Sequence, residues 1–225
     1  MSKIKDNIEI VKNNIKEAAY RANRKPEDIT LVCVTKTVDV GSMKRALECN
    51  IHHIGESRVQ AAQEKFEHLD IPCTKHLIGT LQRNKVNKAL ELFDMIQSVD
   101  RKSLVKAIGK RASDKIDVLL QVNVAKEKSK HGITPENLFE LAETASQYDN
   151  INVCGLMTMA PFVENPEDVR YVFANLRELA EKMSDFKLPN IKGEILSMGM
   201  TNDYEVAVEE GATHVRVGSA IFSSE

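Results

Sequence analysis

Thr30-Leu31-Val32-Cys33-Val34-Thr35-Lys36 is a run of apolar, largely β-branched residues that ends in a primary amine. It follows the polar Pro26-Glu27-Asp28 and reads as a buried parallel strand. A lysine at the end of such a strand either snorkels into solvent or faces a site. In the second case it loses hydration, its charged form is disfavoured, and the free amine becomes available for Schiff-base chemistry. What stands across from Lys36 decides between the two.

Outward from this run, short apolar stretches alternate with amphipathic ones. Strands are expected at 30–36, 52–55, 75–79, 95–99, 117–124, 153–157, 194–197 and 213–217. Helical patterns fall at 41–48, 58–68, 82–90, 101–112, 135–148, 165–183 and 202–209, with one more at 6–22 ahead of the first strand. Thr134 before Pro135 reads as a cap, and Asn202 with Glu205 reads as a capping box. Eight strands, each but the last followed by a helix, predict an α/β fold. The expected form is a single (β/α)8 TIM-type barrel with an extra N-terminal helix, covering residues 1–225 as one domain. An open doubly wound sheet is the structural alternative, and the lack of GxGxxG after the first strand argues against its dinucleotide-binding form.

Composition agrees. A chain of 225 residues suffices for one sizeable core, and with 42% hydrophobic residues and a net charge of −2 a soluble globular protein is expected. No basic excess supports nucleic-acid binding, and Lys126-Glu127-Lys128-Ser129-Lys130 reads as an exposed loop. No stretch has the length of a membrane span, and the charged start has no signal-peptide core. Cys33, Cys49, Cys73 and Cys154 show neither CxxC nor metal-ligand spacing, so no metal is expected. Cys33 and Cys154 read as small buried hydrophobes. A reducing, cytoplasmic setting fits, and a monomer is expected.

In a barrel the chemistry gathers at the C-terminal strand ends, where Lys36 lies. The seventh strand ends in Ser197-Met198-Gly199-Met200-Thr201, small and hydroxyl residues ahead of a helix start that offers N–H groups to an anion. In the eighth, Val215 and Val217 share one face and His214, Arg216 and Gly218 the other. The valines should face the helices, so Arg216 points into the barrel, and Gly218-Ser219 adds further backbone donors. Barrel phosphate sites commonly form from these two loops. Opposite Lys36, they suggest a phosphorylated aldehyde held by an amine. His76 reads as a satisfied core residue and Gln82-Arg83-Asn84-Lys85 as a solvated helix start.

The chain resembles the pyridoxal 5′-phosphate (PLP) homeostasis proteins, the YggS/PROSC family, with their alanine-racemase type of barrel. The resemblance rests on Val34-Thr35-Lys36-Thr37, Ile54-Gly55-Glu56-Ser57, the run from His76 to Lys85, Asn123 through Lys130 with Gly132, Gly155-Leu156-Met157, Ser197-Met198-Gly199-Met200-Thr201, and Arg216 through Phe222. These follow family order over nearly the whole chain. The resemblance implies that Lys36 forms an aldimine with PLP, that Ser197, Gly218 and Ser219 bind its phosphate, and that Arg216 faces the pyridine nitrogen. Ser57 and Ser223 depart from the family's usual asparagine and glycine.

Two functions then compete. One is a cofactor-binding protein that buffers PLP or delivers it to apo-enzymes without substantial catalysis. The other is a PLP-dependent amino-acid racemase of the barrel-only type. An arginine at the pyridine nitrogen weakens the electron sink but still permits racemisation. The racemases add a β-domain that supplies a second base, whereas this chain ends eight residues after Val217 and its tyrosines fall in helical or cap segments. The non-catalytic reading is therefore expected. A cofactor-free Schiff-base aldolase needs a second buried acid/base near Lys36, and none is evident.

Overall fold

The computed structural model describes residues 3–127 and 131–223. Among them eight strands close a parallel barrel in chain order: β1 (Thr30–Val34), β2 (His53–Glu56), β3 (Thr74–Leu77), β4 (Met95–Val99), β5 (Ile116–Gln121), β6 (Ile151–Met157), β7 (Ile191–Ser197) and β8 (His214–Val217). β8 pairs with β1, which excludes the open sheet. The helices are α1 (Lys3–Arg21), α2 (Val40–Leu47), α3 (Val59–Phe66), α4 (Val86–Leu92), α5 (Lys102–Gly109), α6 (Leu138–Ser146), α7 (Arg170–Ser184), α8 (Tyr204–Glu209) and α9 (Ser219–Phe222). The expected barrel is the one the chain forms.

Apolar spacing explains the placement of the helices. α1 buries Ile4, Ile8, Val11 and Ile15, one stripe of a 3.6-residue period, and packs on α2, α8 and α9. Asp39 starts α2 by accepting the Ser42 N–H at 2.7 Å. Arg170 on α7 binds Glu209 of α8 and Glu210 just after it at 2.6 and 2.9 Å, and Arg21 of α1 reaches Glu209 at 2.7 Å. Three helices are tied there by one charge network.

The main core lies between sheet and helices, where Cys33, Val215 and Val217 sit with the helical apolar faces. A second, smaller cluster fills part of the barrel interior with Met95, Leu119, Cys154 and Met157. Cys33 and Cys154 are buried free thiols, and burial pushes both up to about 12, with Asp117 adding to the effect at Cys154. Among the described residues no helix is long and apolar enough to cross a membrane.

Several local expectations are corrected. β8 is followed by the four-residue α9. Thr134 makes no side-chain cap; Pro135–Asn137 forms a 3-10 turn before α6. The Asn202 capping box is absent, because Asn202 donates instead to the Val163 carbonyl at 2.8 Å and α8 starts at Tyr204. Lys126 pairs with Glu136 at 2.5 Å, while Lys128, Ser129 and Lys130 lie outside the described residues.

Candidate functional site

A cleft of about 590 Å³ opens at the C-terminal ends of the strands, lined among others by Lys36, Thr201, Asp203, Arg216, Gly218 and Ser219. β1 ends at Val34, so Lys36 projects from the turn beyond it. Its neighbour Thr35 is fixed on every polar atom. Thr35 N–H donates to the Gly55 carbonyl at 3.0 Å, its hydroxyl donates to Glu56 Oε1 at 2.8 Å, and its carbonyl accepts from Lys65 Nζ at 2.8 Å. Lys65 also pairs with Glu56 Oε1 at 2.9 Å, and Glu56 is 1% exposed with Oε2 unpartnered. A part-buried ion pair between α3 and β2, its carboxylate fully enclosed, thus holds the backbone from which Lys36 emerges.

Lys36 itself is exposed. The expected loss of hydration is therefore not imposed by the folded chain; shielding of the amine falls to whatever occupies the cleft.

On the far side, Gly199 turns the chain after β7 at φ +89°, where an added Cβ would lie 2.6 Å from Ala207 Cβ. The Met200 N–H donates to Asp203 Oδ1 at 2.6 Å, and burial raises the Asp203 carboxyl despite that bond. The backbone N–H groups of Thr201, Asn202 and Ser219 have no acceptor among the described residues. Ser219 Oγ donates to Thr201 Oγ1 at 3.0 Å, which draws the two loops together. Gly218 eases the close approach, since a Cβ there would lie 3.0 Å from the Val34 carbonyl.

Arg216 points into the barrel, as the alternation of β8 requires, and is 3% exposed. Its Nη2 donates to the Thr158 carbonyl and its Nη1 to Ser197 Oγ, both at 2.7 Å. Burial pushes the guanidinium down to about 10, opposed by the charge of Asp203.

Lys36, Arg216, Gly218 and Ser219 therefore meet at one cleft. Ser197 does not: its fully buried hydroxyl donates to Gln97 Oε1 at 2.6 Å beneath the cleft. Thr201 and Asp203, which sequence reasoning left out of the site, stand in its place. The hydroxyl of the SMGMT run was a usable signal for Thr201; nothing local marked Asp203. Phe162, 83% exposed, forms part of the rim. Ser57 lines the cleft and also an adjoining recess with Arg58, Gln82 and Lys85. His76 is in neither and is buried, as expected of a core residue. Among the described residues no group of three or more His, Cys, Asp or Glu is placed to hold a metal ion.

Residues 7–225 match the alanine racemase N-terminal domain family. The chain is similar to the pyridoxal phosphate homeostasis protein of Aquifex aeolicus, 43% identical over 94% of each chain. It is also similar to that of Pseudomonas aeruginosa, 36% identical over 100% of this chain and 96% of the relative. Among solved structures, PipY of Synechococcus elongatus with PLP bound superposes at a TM-score of 0.81, with 33% identity over 93% of this chain and 100% of the other.

Proposed function

The chain belongs to the pyridoxal phosphate homeostasis family, built on the alanine racemase N-terminal barrel, and from that premise we propose that it binds PLP in the Lys36 cleft and buffers or delivers it without substantial turnover of amino acids. The residues present fit that group. A primary amine stands at the mouth, three unsatisfied N–H groups and the Thr201 hydroxyl suit a phosphate, and a buried cation lies on the barrel side.

When bound, PLP supplies an aldehyde that condenses reversibly with an amine and a ring that can draw off electron density. In this reading Lys36 provides the amine. Thr201, Gly218 and Ser219 orient the phosphate, and Ser197 acts only through Arg216. Arg216 would face the pyridine nitrogen and, keeping its own proton, would leave that nitrogen unprotonated and weaken the electron sink.

One observation carries the non-catalytic reading. The ionisable side chains lining the cleft, among the described residues, are Lys36, Asp203 and Arg216. Asp203 is tied to the Met200 N–H and Arg216 to Ser197 and Thr158, so Lys36 alone is free to carry a proton to a substrate carbon. Racemisation needs a carrier on each face. Tyr204, the buried tyrosine, is turned to Asn14 at 3.0 Å.

As parts of the same proposal, residues 1–225 act as one PLP-binding unit, monomeric and cytoplasmic, with apo PLP enzymes as recipients. The test is visible absorbance on adding PLP, then exchange of the amino-acid α-hydrogen into heavy water with chiral product analysis against Lys36→Ala. A visible band without inversion is the expected result. Lysine-dependent inversion at about 1 s⁻¹ or more overturns the carrier reading in favour of the racemase.

A further inference from the structure

Barrel interiors are ordinarily filled by branched aliphatic side chains. Here a row of polar ones crosses the barrel instead. Arg216 Nη1 donates to Ser197 Oγ at 2.7 Å, and the Ser197 hydroxyl in turn donates to Gln97 Oε1 at 2.6 Å. Gln97 Nε2 then stands 3.0 Å from His76 Nδ1, and His76 Nε2 stands 2.9 Å from His53 Nδ1. The row draws on β8, β7, β4, β3 and β2 in turn. It begins at the cleft and ends at the N-terminal mouth of the barrel, where His53 is half-buried and His214 packs 6.1 and 6.0 Å from the His53 and His76 rings.

The direction of every bond follows from one end. A guanidinium only donates, so Ser197 accepts from it and gives its hydroxyl proton to the Gln97 carbonyl. Gln97 has only its NH₂ left to offer, so His76 accepts at Nδ1 and carries its proton on Nε2. His53 then accepts at Nδ1. Burial, with His214 and His53 alongside, holds His76 down to about 3, so it stays neutral as an Nδ1 acceptor must. Each member satisfies its neighbour, which is the condition for keeping such groups buried.

We propose that Ser197, Gln97 and His76 are positioning residues, a one-way hydrogen-bond row that sets the Arg216 guanidinium toward the cleft and carries the cleft's occupancy to the histidines at the opposite mouth. The coupling to occupancy rests on the reading of the cleft as a PLP site. The row itself is a property of the ligand-free chain.

Long-range proton–nitrogen correlation on the full chain labelled at histidine nitrogens tests it. Without ligand, His76 and His53 each show one neutral tautomer with the proton on Nε2. Adding PLP, with binding followed by visible absorbance, moves the His76 nitrogens and leaves exposed His68 unmoved. Ser197→Ala shifts the same His76 signals and weakens PLP retention about tenfold, while Ser197→Thr, which keeps the hydroxyl, restores both to within about twofold. A proton on His76 Nδ1 overturns the row. His76 signals unmoved while absorbance reports bound PLP overturn the coupling, and this arm needs no variant that must fold. Absence of any absorbance band overturns the cofactor reading and the coupling with it, while the tautomers still judge the row.

Discussion

Val32 on β1 and Arg216 on β8 are direct partners across the seam that closes the barrel. The strand that leads to Lys36 is thus zipped to the strand that carries the guanidinium. Above that pair Cys33 meets Val217, and Gly218 then passes so close to the Val34 carbonyl that a side chain there would force Val34 to give way by a few tenths of an ångström. Closing the barrel and assembling the cleft are the same structural event.

Lys36→Ala is expected to abolish covalent attachment of PLP and to leave the barrel folded, because the exposed amine makes no contact the fold depends on. Borohydride reduction followed by peptide mapping reads this out, with circular dichroism as the folding control. A phosphopyridoxyl label on another lysine, with Lys36 unmodified, sinks the assignment.

Arg216→Ala is expected to cost about 1–3 kcal/mol of PLP affinity, and Ser219→Ala less, since alanine keeps the backbone N–H. Arg216→Ala also strips the Thr158 carbonyl and Ser197 hydroxyl of their buried donor, so its melting temperature falls as well. Equilibrium binding and thermal melting of both variants check the order. A larger affinity loss for Ser219→Ala contradicts the assigned roles.

Lys65→Ala removes one partner of the pair under Thr35 and leaves the Glu56 carboxylate buried and uncompensated. A destabilisation of about 3–5 kcal/mol is expected. The double variant Lys65→Ala, Glu56→Gln should lose less than the sum of the single variants. Denaturant titration measures both, and strict additivity rules out the coupling.

The barrel was legible because short apolar runs, buried along most of their length, alternate regularly with amphipathic helical stretches. The strand at 95–99 has the expected bounds, and the β8 pattern alone turned Arg216 inward. Other features depend on distant parts of the chain. α9, at four residues, is too short to show a period. Asn202 is drawn from its capping position by the Val163 carbonyl, which belongs to another loop. Ser197 lies in a run that suits an anion, yet it is fully buried and bonded to Gln97 of β4 and Arg216 of β8, partners distant in the chain that no local pattern encodes. Gln97 sits mid-strand among buried residues and becomes intelligible only once His76 and Ser197 are seen on either side.

Acid should destabilise the protein through its interior histidines. Burial first, then His53 and Arg216, hold His214 down to about 4, and His76 is held down to about 3, against an ordinary value of 6.5. Both folded values are depressed, so the unfolded chain takes up protons first. Their stabilising contribution is complete above about pH 6.5 and is lost as pH falls toward the folded values. The slope is roughly 1.4 kcal/mol per pH unit for each histidine. Calorimetry between pH 7 and 4 should show it, and His214→Asn should flatten the slope by about one histidine's share. An unchanged slope rejects this origin.

The Asn7 side-chain amide donates to the Ile221 carbonyl, 214 positions further along the chain, and the apolar stripe of α1 rests on α8 and α9. In the time order of synthesis, α1 precedes these partners by nearly the whole barrel. At roughly 5–20 residues per second, the part of the α1 stripe that α8 and α9 cover stays open for on the order of ten seconds or more, and β1 has no β8 to pair with. Ligand capture across that seam is consequently denied to the nascent chain until β8 and the loop after it have been made.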